Sequence, residues 1–172
     1  AAIGATEVPT PALLAALRAG HDMGLVSEAG MPAVADPGSS VVRAAHALGA
    51  RVVPLVGPVS LLLTLAASGL NGQNFAFVGY LPQDASERAQ RVRALEALAL
   101  KNGQTQLFIE TPYRNAALWQ ALLQTLQPST QLTCAAGLTL AQASIHTRSA
   151  SQWRGHAIPV DNRTPAVFAI GG

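Results

Sequence analysis

Charge is scarce in this chain: 12% of its 172 residues are charged, about half the usual share for a globular protein. The 11 basic and 9 acidic residues leave a formal net charge of +2, too small a field to argue by itself for a polyanionic partner. Cysteine is nearly absent. The single one, Cys134, excludes an intrachain disulfide framework, fits a reducing compartment and leads us to expect a cytoplasmic protein. Long hydrophobic runs are missing too. The longest, over 61–67, stops at Ser68 and Gly69, well short of the ~20 residues that span a bilayer, so no membrane association is expected. The first residues lack the charged segment and apolar run of a secretory signal.

Several chemical signatures are also lacking. Neither G-x-G-x-x-G nor a P-loop occurs, which disfavours a polyphosphate ligand. No G-x-S-x-G and no paired-carboxylate pattern supports hydrolysis. His21, His46, His146 and His156 have no ligand-like spacing with one another or with Cys134, so no metal site is expected. Cys134 falls inside a strand-like run and reads as a small core residue.

What is present is apolar and ordered. Hydrophobic residues make up 49% of the chain, enough buried surface to offset the entropy of folding and to exclude disorder. Residues 1–9 read as a loop entering a helix, so the chain is expected to open inside a domain. A helix is predicted over 11–19, with Thr10 as cap and Pro11 at its first position, ended by Gly20. A short apolar strand follows at 23–27, then a Gly/Pro-rich loop at 28–38 and a helix at 39–48 closed by Gly49. A second strand at 51–56, a turn at 57–60 and a helix at 61–67 complete an αβαβα order that favours a parallel sheet.

Composition shifts at the turn cluster Asn71-Gly72-Gln73-Asn74, and we place a domain boundary there, giving 1–72 and 73–172. The second half reads as a mixed α/β unit. It has an extended segment at 75–82, a helix at 86–100 with Ala89, Val92, Leu95 and Ala99 on one face, and a strand at 105–110. A helix at 113–126 follows Pro112, and further strands are expected at 132–136, 144–148 and 166–170. The fold class expected is thus α/β, two small domains.

Ligands of open sheets bind beyond the carboxyl ends of strands, where the following loops gather. Two such loops stand out, Ser27 to Gly38 and Gly57-Pro58-Val59-Ser60. Their small residues let a ligand approach the backbone, and neither holds Lys or Arg. A neutral or cationic ligand with an apolar body suits them, opposite Glu28 and Asp36. Alternatively they are ordinary tight loops, with Asp36 as an Asx cap. In the second half a strand ends in Glu110 and turns through Thr111-Pro112-Tyr113-Arg114. These side chains either line a cleft, or Glu110 pairs with Arg114 and Tyr113 packs; the latter is the blander reading. Arg88, Arg91, Arg93 and Lys101 form a modest basic run, a solvated face or a phosphate contact.

The run LVSEAGMPAVADPGSSVVRAAHALGARVVPLVGPVSLLLTLAASGL, followed by FAFVGYLP and FIETPYR, resembles the tetrapyrrole methylase family. Within it the sequence is most similar to the small-subunit ribosomal RNA 2′-O-methyltransferase branch, which reads SDAGTPLISDPG, PGPSALLAALSASGLP, GFLP and YESPHR in the same order. The resemblance covers residues 11 to 126 and implies a two-domain α/β methyltransferase, usually a homodimer, with S-adenosylmethionine as cofactor. By motif, Ala29, Gly30, Met31, Val34, Val59 and Ser60 would meet the cofactor from the first domain, and Glu110, Leu138 and Ala166 from the second. Glu28 and Glu110 would be the candidate bases for a ribose hydroxyl. The implied acceptor is RNA; tetrapyrrole C-methylation and a catalytically weak cofactor-binding relative are the alternatives.

The sequence also departs from the family's pattern. The family's N-terminal strand and G-x-G-P-G-D loop do not precede these motifs, so the first domain is expected to be truncated at its N-terminus. Glu28 stands for an Asp, and Met31 for a Thr. Where the branch has Arg-Glu-Leu-Thr-Lys, this chain has the uncharged Ala136-Gly137-Leu138-Thr139-Leu140.

Overall fold

A computed structural model describes residues 14–172, which divide into two compact units after Val59. Thr10, Pro11 and the loop expected over 1–9 lie outside the described residues.

The first unit contains two helices, α1 (Ala15–Arg18) and α2 (Ser39–Ala47). Gly20 ends α1 at φ +83° and Gly49 follows α2 at φ +71°, the left-handed conformation that favours glycine at helix ends. Val41 and Ala45 form the buried stripe of α2, an i, i+4 pair. The strands expected at 23–27 and 51–56 do not form; both segments are irregular. A strand exists only as one side of a hydrogen-bonded ladder, and among the described residues of this unit neither segment finds a partner. Several of their apolar side chains are consequently left in solvent, Val26 at 88% and Leu55 at 81% exposure. The parallel sheet predicted for this half is therefore absent among the described residues.

The second unit builds a five-stranded mixed sheet in the order β1-β2-β5-β3-β4. Its strands are β1 (Phe75–Tyr80), β2 (Thr105–Ile109), β3 (Gln131–Ala136), β4 (Ser144–Ser149) and β5 (Ala166–Gly171). β1 and β2 run parallel, and the remaining pairs are antiparallel. The connection between β1 and β2 is α4 (Ala85–Asn102), the helical crossover that a parallel pair requires. Asp84 caps α4 by accepting from the Ser86 and Glu87 amides, each at 2.9 Å, and Gly103 at φ +61° ends it. The expected face of α4 is inward: Val92, Leu95 and Ala99 are buried, as is Glu96.

Helix α3 (Ser60–Ser68) belongs to this unit and packs on the sheet. The Thr147 hydroxyl on β4 donates to the Ser68 carbonyl at 2.7 Å. The helix predicted from Tyr113 is a 3-10 turn, Pro112–Arg114, leading into α5 (Asn115–Thr125). A last short helix, α6 (Ala150–Trp153), carries a capping box formed by Ser149 and Gln152.

The core gathers around β5, which has neighbours on both sides and is buried along its whole length. Phe168 stacks at 6.0 Å on Phe108, its register partner on β2, and Trp119 of α5 meets Trp153 edge-on at 4.9 Å. Trp153 Nε1 donates to the Leu132 carbonyl at 2.7 Å, so this indole is buried with its polar edge satisfied. The buried Glu96 carboxylate accepts from the Gln127 amide at 2.7 Å and the Thr130 hydroxyl at 2.6 Å, pinning the turn before β3. Cys134 is a core residue; burial pushes its thiol up to about 12, which leaves it protonated and inert at neutral pH.

Candidate functional site

In the first unit the expected ligand loop has an unusual backbone. Gly30, Ala33, Ala35 and Gly38 all have positive φ, at +78°, +66°, +54° and +137°. For alanine this region costs about 1–2 kcal/mol per residue. Such strain is kept where surrounding structure over-determines it, commonly at ligand clamps. The loop is held by the Ala33 amide donating to the Pro37 carbonyl at 3.2 Å, the Val34 amide to the Met31 carbonyl at 3.2 Å, and the Ser27 hydroxyl to the Ala29 carbonyl at 2.9 Å. At Gly38 the φ of +137° favours glycine, and a Cβ there would also crowd a Leu25 methyl at 2.9 Å and the Ala33 amide nitrogen at 3.3 Å. Ala29, Gly30 and Val34 are exposed and Met31 is half-buried, so three of the four contact residues expected in this loop present themselves to solvent, as does Glu28, the candidate base. Val59 is buried, and Ser60 opens α3 with its side chain exposed.

In the second unit the sheet register gathers the expected residues at one end. Ile109 of β2 pairs with Val167 of β5, and Ala136 of β3 with Ala166. Glu110, following β2, Leu138, following β3, and Ala166, opening β5, therefore share one edge of the sheet. The small Ala136 and Ala166 lie opposite each other there, and Gly137 at φ +61° donates its amide to the Pro165 carbonyl at 3.0 Å. Thr139 follows at φ +70°, a further strained residue at this edge.

Glu110 is the most constrained group of this edge. Its buried Oε1 accepts from the Thr111 amide at 2.7 Å, the Thr111 hydroxyl at 3.1 Å, and Arg114 Nε and Nη2 at 3.1 and 2.7 Å. Four donors on one oxygen fix the carboxylate as an acceptor and lock the turn that follows. The predicted Glu110–Arg114 pair thus forms. Tyr113 does not pack: it is 67% exposed, with only the Arg114 guanidinium 5.4 Å from its ring centroid.

Reading the sequence missed the support behind this turn. Asn115 is fully buried, and its Nδ2 donates to the Asp161 and Thr164 carbonyls at 3.0 and 2.9 Å, while its Oδ1 has no partner. Asp161 accepts in turn from the Arg163 and Thr164 amides at 2.9 and 2.6 Å, which hold its carboxyl below the usual range. These partners lie far apart along the chain; the only local signal was the Asp-Asn turn pair itself.

Elsewhere, a cavity of about 450 Å³ beside α3 is lined by Leu62, Leu65, Ala66, Leu70 and Phe75 and brings no titratable group. Among the described residues no three His, Cys, Asp or Glu side chains are grouped to hold a metal, and no helix is long and apolar enough to cross a membrane.

A strained small-residue loop and a sheet end holding a locked carboxylate suit an α/β fold with candidate ligand positions in its loops. Comparison with known proteins is consistent with this: Tetrapyrrole (Corrin/Porphyrin) Methylases match residues 7–152, and the chain belongs to that family. It is 42% identical over 98 residues to the ribosomal RNA small subunit methyltransferase I of Pseudomonas aeruginosa, covering 57% of this chain and 33% of that protein. It is 41% identical over 116 residues to the protein of the same name from Mesorhizobium japonicum, covering 67% of this chain and 38% of the relative. The chain thus spans between a third and two fifths of these relatives' lengths. A solved structure of the methyltransferase CobJ shares the fold, with a TM-score of 0.58 at 20% identity over 94% of this chain and 69% of that one.

Proposed function

We propose that this chain is part of an S-adenosylmethionine-dependent methyltransferase that modifies small-subunit ribosomal RNA at a ribose 2′-oxygen. The observation that carries this reading is the identity of about two residues in five to relatives named as ribosomal RNA small subunit methyltransferases. The loop chemistry supports the cofactor. A sulfonium needs no phosphate nest, and the loop from Ser27 to Gly38 offers exposed backbone at Ala29 and Gly30, a carboxylate at Glu28 and no cation. Met31 and Val34 add apolar surface for its body; Val59 and Ser60 supply the second loop. Leu138 and Ala166 of the other unit are further candidate contacts by the family's motifs.

When bound, the cofactor supplies an electrophilic methyl group, so the protein's task is to align the acceptor oxygen and take its proton. Glu110 is committed to Arg114, which makes it a positioning residue of the sheet edge. Glu28 is exposed and is the carboxylate we assign to receive the hydroxyl proton. A homodimeric assembly and a cytoplasmic location belong to the same proposal.

Its test is transfer of labelled methyl from S-adenosylmethionine to small ribosomal subunits taken from a strain lacking the gene. Label in the RNA, at a linkage that resists alkaline cleavage because the 2′-oxygen is blocked, is the expected result. Label on a base would contradict ribose methylation, and absence of label would contradict an RNA acceptor.

A further inference from the structure

We propose that Tyr113, backed by Arg114, is a stacking platform for a base of the RNA acceptor; this rests on the methyltransferase reading above. A lone exposed tyrosine on a protein surface is ordinary. Tyr113 differs in how it is held. Pro112 opens the turn and presets its backbone, and the 3-10 turn places Tyr113 directly beyond the sheet edge marked by Glu110. The Arg114 guanidinium sits 5.4 Å from the ring centroid and is itself tied by Nε and Nη2 to the buried Glu110 carboxylate. The ring is therefore supported by an anchored cation and remains 67% exposed. A supported aromatic ring in water is what an unpaired base stacks on, at little ordering cost.

The neighbouring strand repeats the feature. Tyr80 ends β1, pairs in register with Ile109 and is 59% exposed, so a second phenol stands at the same end of the sheet. A register irregularity between Phe77 and Tyr80, with Gly79 at φ +73°, resets the side-chain alternation just before it. The loop following β3 at this edge, 136–143, carries no charge, and its Leu140 is exposed. Recognition at this edge thus draws on stacking more than on neutralising phosphates, the mode by which proteins read unpaired RNA bases.

The test uses the full-length enzyme, labelled S-adenosylmethionine and undermethylated small ribosomal subunits. Y113A is expected to raise KM for the subunits about tenfold, with Y80A raising it less, while Y113F stays within about twofold of wild type because the ring is kept. Calorimetric affinity for S-adenosylmethionine and the melting temperature should not move, since the side chain lies outside the core. A KM for Y113A within about twofold of wild type, in an enzyme that methylates subunits, would overturn the platform and leave the RNA reading standing. A wild-type enzyme that binds the cofactor but methylates a tetrapyrrole and not subunits would overturn the RNA reading, and the platform with it.

Discussion

The two units of this chain contain similar raw material and meet different fates. Residues 23–27 and 51–56 are as apolar as the strands of the second unit, yet they make no ladder and expose Val26 and Leu55. Residues 166–171, no more strand-like in composition, become the fully buried centre of a five-stranded sheet. The difference lies in neighbours, because strand preference is a preference for packing between partners. The residues of the proposed site divide in the same way. The first unit contributes a strained loop, the second a sheet edge on which Glu110 fixes the following turn.

The sharpest way to break this contrast is amide hydrogen exchange on the whole chain. Amides of β5 should exchange only through global unfolding, about a thousandfold or more slower than those of 23–27 and 51–56, which should exchange nearly as free chain. Comparable protection in both would mean that the first unit has found partners for its segments. Next in size is F168A, which removes a ring stacked on Phe108 and packed beside Trp119. It should cost about 3–5 kcal/mol in chemical denaturation followed by tryptophan fluorescence. E110A should be milder, about 1–3 kcal/mol, because Arg114 is partly exposed and regains water while the Thr111 donors lose their acceptor.

The smallest effect concerns acid. The carboxyl of Asp161 is lowered by the Arg163 and Thr164 amides, and that of Asp84 by the Ser86 hydroxyl and the Glu87 amide. A group with a depressed folded pKa adds stability above its unfolded value of about 3.8 and loses it as pH falls through the folded one. D84N and D161N should therefore each flatten the fall in melting temperature below pH 4 and barely change its slope above pH 5. An unchanged acid slope would show that these caps are not what the protons displace.

The second unit was largely legible in the sequence, for identifiable reasons. The apolar face over 86–100 announces α4, the buried runs at 105–109, 132–136 and 166–170 are bounded by turn residues, and Cys134 sits where a small core residue belongs. The missing strands were not legible, since periodicity reports which faces are apolar and is silent on whether a partner strand is present. The Glu110–Arg114 pair could be read because i, i+4 spacing across a turn is local; the exposure of Tyr113 could not, because it depends on everything that fails to cover it. Asn115 and the turn at Asp161 come together only through the fold. For the loop proposed to meet the cofactor, motif order carried the resemblance, while the positive φ of Ala33 and Ala35 had no signature, alanine being a poor advertisement for that conformation.

That loop carries the proposed cofactor binding of the first unit. Hydrogen exchange of the full-length protein with and without saturating S-adenosylmethionine tests it directly. Amides between Ser27 and Gly38 should slow by about tenfold or more on adding the cofactor, while those of β5 stay as they were. Exchange in the loop that is the same with and without the cofactor would contradict the assignment of this segment to cofactor binding.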